Sequence, residues 1–96
     1  MLAKQTNSDT KPTVILYPNP VENKMMHLQF INQQPGIYTL QLTNKLGQQV
    51  YNGSIQLNTF YEMNSVKLDP GTITGTYQLT ISAVSGTKTT LHVFIK

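Results

Sequence analysis

Two stretches near the end of the chain decide the fold: residues 77–83, YQLTISA, and residues 91–96, LHVFIK. In both, apolar side chains occupy every second position, and most of the places between them hold polar residues. Successive side chains of a β-strand point to opposite faces, so this period of two predicts strands with one buried and one solvated face. An amphipathic helix would instead repeat its apolar residues every three or four positions.

The same alternation continues toward the N-terminus. It returns in residues 26–30, 38–43 and 48–57; a short apolar run lies at 14–17, and residues 64–68 are expected to form another short strand. Pro, Gly, Asn and Asp residues separate these segments, with a turn signal about every ten residues. This pattern predicts an all-β fold, an immunoglobulin-like β-sandwich of about seven antiparallel strands.

The beginning of the chain differs from the rest. Residues 1–12 are mostly polar and show no period, so we expect a flexible linker there and one folded domain over residues 13–96. The chain has no run of about 18 apolar residues, which predicts that it does not span a membrane. Its start lacks the apolar core of a signal peptide, so an exported form would carry its export signal on a longer precursor.

Charge and cysteine content narrow the function classes. The formal net charge is +3, Cys is absent, and seven Lys are scattered along the chain without any Arg. Nucleic-acid modules concentrate Arg and Lys on one face, so we expect no nucleic-acid partner. Without Cys, neither a disulfide nor a thiolate metal site is possible.

The residues able to support catalysis form no recognisable motif. His27 and His92 fall on the polar phase of alternating strands, where solvated side chains are expected rather than metal ligands, which need convergent partners. Glu62 and Asp69 could be imagined as a glycosidase pair, but nothing in the sequence places them across a cleft. We therefore expect no enzyme, no metal and no cofactor.

Two short motifs predict interruptions of the strands. Pro18-Asn19-Pro20 cannot donate ladder hydrogen bonds at its prolines and predicts a turn or an edge. Asn52-Gly53-Ser54 matches an N-glycosylation acceptor but also contains a hairpin dipeptide, which favours a turn or a bulge. Gly47, Gly75 and Gly86 are expected to allow turns.

Aromatic residues divide by phase. Tyr38 and Tyr77 are in phase with core leucines and are expected to face inward. Phe94 is out of phase with Val93 and Ile95, so it should face outward with its neighbours of the same phase. The outward residues His92, Phe94 and Lys96 are a candidate docking surface, with a local packing patch as the alternative.

Three stretches together resemble a known family. They are residues 14–20 with their Pro-Asn-Pro end, residues 42–51 with a Gly turn, and residues 75–88 leading to the final strand. The positions that carry the pattern are Pro18, Asn19, Pro20, Gly47, Gly75, Tyr77 and Gly86. In order and spacing they are similar to the type A C-terminal sorting domain of the type IX secretion system of Bacteroidetes. The resemblance covers residues 14–96 and departs where Leu91 and His92 stand in place of a Lys pair.

The resemblance implies an address rather than an activity. Such a domain ends a larger precursor that reaches the periplasm, and the outer-membrane export machinery recognises the folded sandwich and carries the cargo to the cell surface. A surface sortase then cuts N-terminal to the sandwich, and the cargo is often attached to an anionic lipopolysaccharide. The runner-up is an immunoglobulin-like adhesive or carbohydrate-binding module of an extracellular protein, which the same fold permits.

Overall fold

The computed structural model describes residues 11–96, and most of the expected linker, residues 1–10, lies outside the described residues. The strands are β1 Thr13–Glu22, β2 Met25–Ile31, β3 Gly36–Asn44, β4 Gln49–Leu57, β5 Glu62–Lys67, β6 Gly75–Ala83 and β7 Lys88–Ile95. Over residues 11–96 these strands are the only regular elements, which confirms the predicted all-β fold. That range holds no helix long and apolar enough to cross a membrane.

Two groups of strands meet at β1. In the first group β2 pairs antiparallel with both β1 and β5. In the second, β4, β3, β6 and β7 pair antiparallel in that spatial order. The end of β1 reaches β7 and pairs with it in parallel, Val21 opposite Ile95. The seven strands therefore form one mixed sheet in the order β4-β3-β6-β7-β1-β2-β5, which is compatible with a sandwich.

The parallel pair is the one departure from the predicted antiparallel arrangement among the described strands. Strands joined by a tight turn must run antiparallel, but β1 and β7 are the first and last strands and share no turn. Their relative direction follows from where packing brings them together. Because they are parallel, the start of β1 lies at the same end of the molecule as the start of β7.

The core follows the alternation seen in the sequence. Every second residue of β2, β3 and β6 is buried, and partners from the other strands complete one cluster. The buried apolar residues are Val14, Val21, Met26, Leu28, Phe30, Tyr38, Leu40, Leu42, Leu57, Val66, Leu68, Tyr77, Leu79, Ile81, Val93 and Ile95. Tyr38 and Tyr77 face inward as predicted, and burial raises the pKa of Tyr38.

The predicted interruption at Asn52-Gly53 is wrong. Both residues lie inside β4, where Gly53 pairs with Leu40 and Asn52 with Gln41. A Cβ at Gly53 would lie 2.5 Å from the hydroxyl of Tyr51, so the Tyr51 ring occupies the space above the glycine. The glycine is thus explained by close packing of an aromatic ring within a strand, and no turn is needed.

Candidate functional site

A turn or an edge was predicted at Pro18-Asn19-Pro20; the motif forms no turn but lies within β1, where none of its three residues has a ladder partner. Both X-Pro bonds of the motif are cis. Regular pairing of β1 with β2 ends at Tyr17 and resumes only at Glu22. Proline has no N–H to donate, so the ladder cannot continue through the motif. The strand instead passes from β2 toward β7, and the motif is the crossing point.

The Asn19 side chain joins this crossing point to the last strand. Its Nδ2 donates to the main-chain oxygen of His92 over 3.1 Å, and its Oδ1 accepts from the Phe94 N–H over 3.0 Å. An amide carries both a donor and an acceptor, so one side chain satisfies two main-chain groups on β7. Asn19 thereby replaces the ladder bonds that the flanking prolines cannot make.

Three further contacts hold Lys96 against the end of β1 and the turn that follows it. The Lys96 N–H donates to the Val21 oxygen over 3.0 Å, and Lys24 Nζ donates to the main-chain oxygen of Lys96 over 2.7 Å. The Lys96 ammonium lies 3.5 Å from a carboxylate oxygen of Glu22. Together with the Asn19 bonds, these contacts form what we call the β1–β7 seam.

The side chains of β7 alternate across this seam as the sequence predicted. Val93 and Ile95 are in the core, while His92 and Lys96 are exposed and the Phe94 side chain is 41% exposed. Phe94 lies opposite Thr76 on β6. The arrangement therefore presents an imidazole, an aromatic ring and an ammonium on one exposed strip whose main chain is fixed by Asn19. That this strip docks to a partner remains a prediction.

Gly47, Gly75 and Tyr77 lie near the same end of the molecule. Gly47 has a φ of 82° in the turn after β3, and its N–H donates to the Asn44 oxygen over 3.0 Å, as expected of a turn glycine. Gly75 shows no left-handed φ, so the turn explanation does not apply there. Tyr77 is buried, and its hydroxyl donates to the Ile73 oxygen over 2.5 Å, which ties the loop before β6 to the core.

A shallow open pocket of about 370 Å³ brings some of these residues to the exposed strip. Its lining includes Lys45, Gly47, Tyr77, Gln78 and His92. The pocket connects the turn after β3 with the outer side of β7. Residues far apart in the sequence thus share one surface next to the seam.

Gly86 is the motif residue that the fold places elsewhere. It forms the β6–β7 turn with a φ of 103°, and its N–H donates to the Ala83 oxygen over 2.9 Å. This turn lies at the far end of β6 and β7 from Gly75 and Ile95. Gly86 therefore contributes to the hairpin that carries the last strand and not to the seam.

The remaining candidate groups have structural roles. His27 is half-buried, and its Nδ1 lies 2.8 Å from the hydroxyl of Ser65. The Glu62 carboxylate accepts from the N–H groups of Asn58 and Thr59 over 2.8 and 3.2 Å, and the bond from Asn58 contributes most to holding its pKa below the ordinary value. Residues 11–96 contain no group of three or more His, Cys, Asp or Glu able to hold a metal.

Sequence reasoning missed Lys24 and Glu22 as parts of the site. Asn23 and Lys24 both have a φ of 56°, which makes the β1–β2 connection a tight turn. Asn tolerates this left-handed region, so Asn23 between two strands was a usable turn signal. No local pattern, however, could show that the Lys24 side chain reaches the chain's last residue.

Comparison with known proteins identifies the chain's relatives. A family model described as the secretion system C-terminal sorting domain matches residues 15–96. This is not an enzyme family; its members are the tails of larger secreted or cell-surface cargo proteins of Bacteroidetes. No curated protein matches the chain. Because the family model matches well over half of the sequence, the chain belongs to the family of type IX secretion C-terminal sorting domains.

Proposed function

We propose that this chain directs a larger cargo through the type IX system, from the periplasm to the cell surface. There a sortase cleaves this chain from the cargo. The observation that carries the proposal is the double hydrogen bond of Asn19 to the main chain of β7. It joins the Pro-Asn-Pro motif of the family directly to the exposed strip His92, Phe94 and Lys96. The export machinery would recognise this strip on a folded domain, so it need not order a flexible peptide first.

In this proposal the motif acts indirectly. The amide of Asn19 is engaged with β7, so it is not available as a contact for a partner. Its part is to hold the main chain at His92 and Phe94, and hence the directions of their side chains. Phe94 is the strongest candidate contact because aromatic residues dominate the energetics of protein interfaces.

The start and the end of β1 lie at opposite ends of the domain. Thr13 pairs with Ile31 at the end that holds the β6–β7 turn, whereas Val21 pairs with Ile95 at the seam. Cargo joined before residue 11 would therefore be attached at the end of the domain opposite the exposed strip. Machinery bound at the seam would leave Thr13, at the start of β1, uncovered, which suits cleavage by a sortase N-terminal to the sandwich.

The test is an export assay with the whole chain. The chain is fused to the C-terminus of a fluorescent protein that carries a periplasmic signal peptide, in a strain with the type IX machinery and in a mutant without its pore. We expect fluorescence at the surface or in the medium only when the pore is present. Equal retention in both strains, with the domain folded, would contradict the proposal and favour the adhesive or carbohydrate-binding alternative.

Point variants in the same assay test whether the exposed strip is the surface that docks to the machinery. Phe94→Ala should lower export about tenfold or more, as expected for an aromatic interface contact. Phe60 is a matched control because it is 47% exposed but lies at the opposite end, so Phe60→Ala should export normally. Point variants are preferable to truncation, since deleting residues 93–96 would also remove Val93 and Ile95 from the core.

A further inference from the structure

The loop between β4 and β5, residues 58–61, presents two adjacent aromatic side chains to solvent, and we call it the aromatic loop. Phe60 is 47% exposed and Tyr61 is 59% exposed, and neither belongs to the buried core cluster. Single exposed apolar residues need no explanation, but aromatic residues are enriched where one protein binds another. Two such residues side by side therefore indicate a contact surface, and the export role described above does not use it.

Hydrogen bonds fix the main chain of the aromatic loop. The Glu62 carboxylate accepts from the first two N–H groups of the loop. The Thr59 hydroxyl donates to the Tyr61 oxygen over 2.8 Å, and the Gln33 N–H donates to the Phe60 oxygen over 3.0 Å. The two rings therefore project from a main chain that is already ordered, so a partner that binds them does not have to order the loop first.

The aromatic loop lies close to the start of β1. Val14, Phe30 and Glu62 form one row across β1, β2 and β5. Adjacent strands are about 4.8 Å apart, so Glu62, which begins β5 directly after the loop, is about 10 Å from β1. Gln33, whose N–H contacts the loop, also lines an open pocket of about 390 Å³ together with Pro12 and Val14. The loop and this pocket therefore lie around the point where the chain enters β1.

We propose that the aromatic loop is a docking site for the sortase, separate from the peptide bond that the sortase cuts. This assignment rests on the proposed function, in which the cut lies N-terminal to the sandwich and therefore before Thr13. The sortase is the partner that has to act at this end, because the export machinery is assigned to the seam at the other end. A second contact on the folded domain would raise the effective concentration of the cleaved segment at the sortase active site.

The chemistry of the loop defines the surface that would bind it. Residues 58–61, NTFY, carry no charged side chain. The matching surface of the sortase would offer apolar recesses for the two rings. Binding at the loop should therefore depend little on salt, unlike a contact between exposed charged side chains.

The test measures export and cleavage separately with the fluorescent fusion in the strain that has the pore. Export is the total fluorescence at the surface and in the medium, and cleavage is the rate at which the exported fusion shortens on a gel. The double variant Phe60→Ala with Tyr61→Ala should be exported like the unmodified chain but cleaved about tenfold more slowly or worse. Val84→Ala is the matched control, because Val84 is 84% exposed in the β6–β7 turn at the same end, and it should be exported and cleaved normally.

Three results would overturn the docking site: normal cleavage of the double variant, an equally slow cleavage of Val84→Ala, or a loss of export by the double variant as large as that of Phe94→Ala. The last would assign the loop to export instead of cleavage. Urea denaturation shows whether each variant is folded, and Tyr61→Ala alone, at the more exposed position, repeats the test if the double variant unfolds. Retention of the unmodified fusion in the strain with the pore is a different result, because it contradicts the proposed function itself and the docking site with it.

Discussion

The two halves of β1 are held in different ways. Thr13 to Tyr17 pair residue by residue with β2 through a regular antiparallel ladder. Pro18 to Glu22 have a single paired residue on β7, Val21 opposite Ile95, and depend on the Asn19 side chain for two more bonds. A strand can therefore pass from one partner to another when prolines end the ladder and a side-chain amide supplies the missing donor and acceptor.

The largest expected effect comes from the core beneath the first half. Phe30 lies opposite Val14 and is fully buried, so Phe30→Ala should lower the free energy of unfolding by about 3–5 kcal/mol. Urea denaturation measures the change. Phe60→Ala, at a position 47% exposed, should cost less than about 1 kcal/mol. Equal losses in the two variants would contradict this description of the core.

A smaller effect should follow removal of the amide that supports the second half. Asn19→Ala leaves two main-chain groups of β7 to water and should cost about 1–2 kcal/mol. Hydrogen exchange of the Phe94 amide should accelerate more than exchange in the centre of β6. Asn52→Ala, at an exposed position of β4, is the control and should change neither measurement. Unchanged exchange at Phe94 in Asn19→Ala would show that the seam does not depend on this amide.

The stability of the β1-β2-β5 group, which contains the first half of β1, should also depend on pH through Glu62 on β5. Its hydrogen bonds lower the pKa of Glu62 below the ordinary value of 4.5, so the ionised carboxylate stabilises the fold above that pH. This contribution is lost as the pH falls from 4.5 through the lower pKa of the folded state. Glu62→Gln should therefore lose less stability than the unmodified chain between about pH 5 and pH 3 in urea denaturation. Glu22→Gln retains Glu62 and should lose as much stability as the unmodified chain; a decline as small as in Glu62→Gln would contradict the assignment.

The smallest effect is expected from the ion pair at the seam. The Glu22 and Lys96 side chains are 56% and 62% exposed and their charged atoms are 3.5 Å apart, so Glu22→Gln should change stability by about 0–0.5 kcal/mol at neutral pH. Thermal unfolding at low and high salt measures it. If Glu22→Gln lowered the free energy of unfolding more than Asn19→Ala, the ion pair and not the amide would hold the seam.

Export should also depend on the Asn19 side chain in the second half of β1. Asn19→Asp keeps the acceptor for the Phe94 N–H but loses the donor to the His92 oxygen. If Asn19 positions the exposed strip, Asn19→Asp should be exported better than Asn19→Ala and worse than the unmodified chain, while all three remain folded. Equal export by all three would argue that the position of β7 does not matter to the machinery.

Much of the fold and part of the site could be predicted from local pattern. Alternation placed five of the strands and the core phase, and it oriented Phe94 correctly, because the two faces of a strand repeat every second residue. It failed at Asn52-Gly53, where the Tyr51 ring and not a turn explains the glycine. It failed again at Pro18-Asn19-Pro20, where the lack of a donor was recognised but not the strand that continues through it.

The sequence by itself determined the all-β class, the buried residues of the regular strands and the family to which the chain belongs. Only the tertiary structure decided that β1 reaches β7 in parallel, that Asn19 bonds to residues more than seventy positions away, and that Lys24 holds the main chain of Lys96. These contacts join residues that are far apart in the sequence. Strand period and turn chemistry depend on neighbouring residues, whereas the seam depends on which distant segments the common core brings into contact.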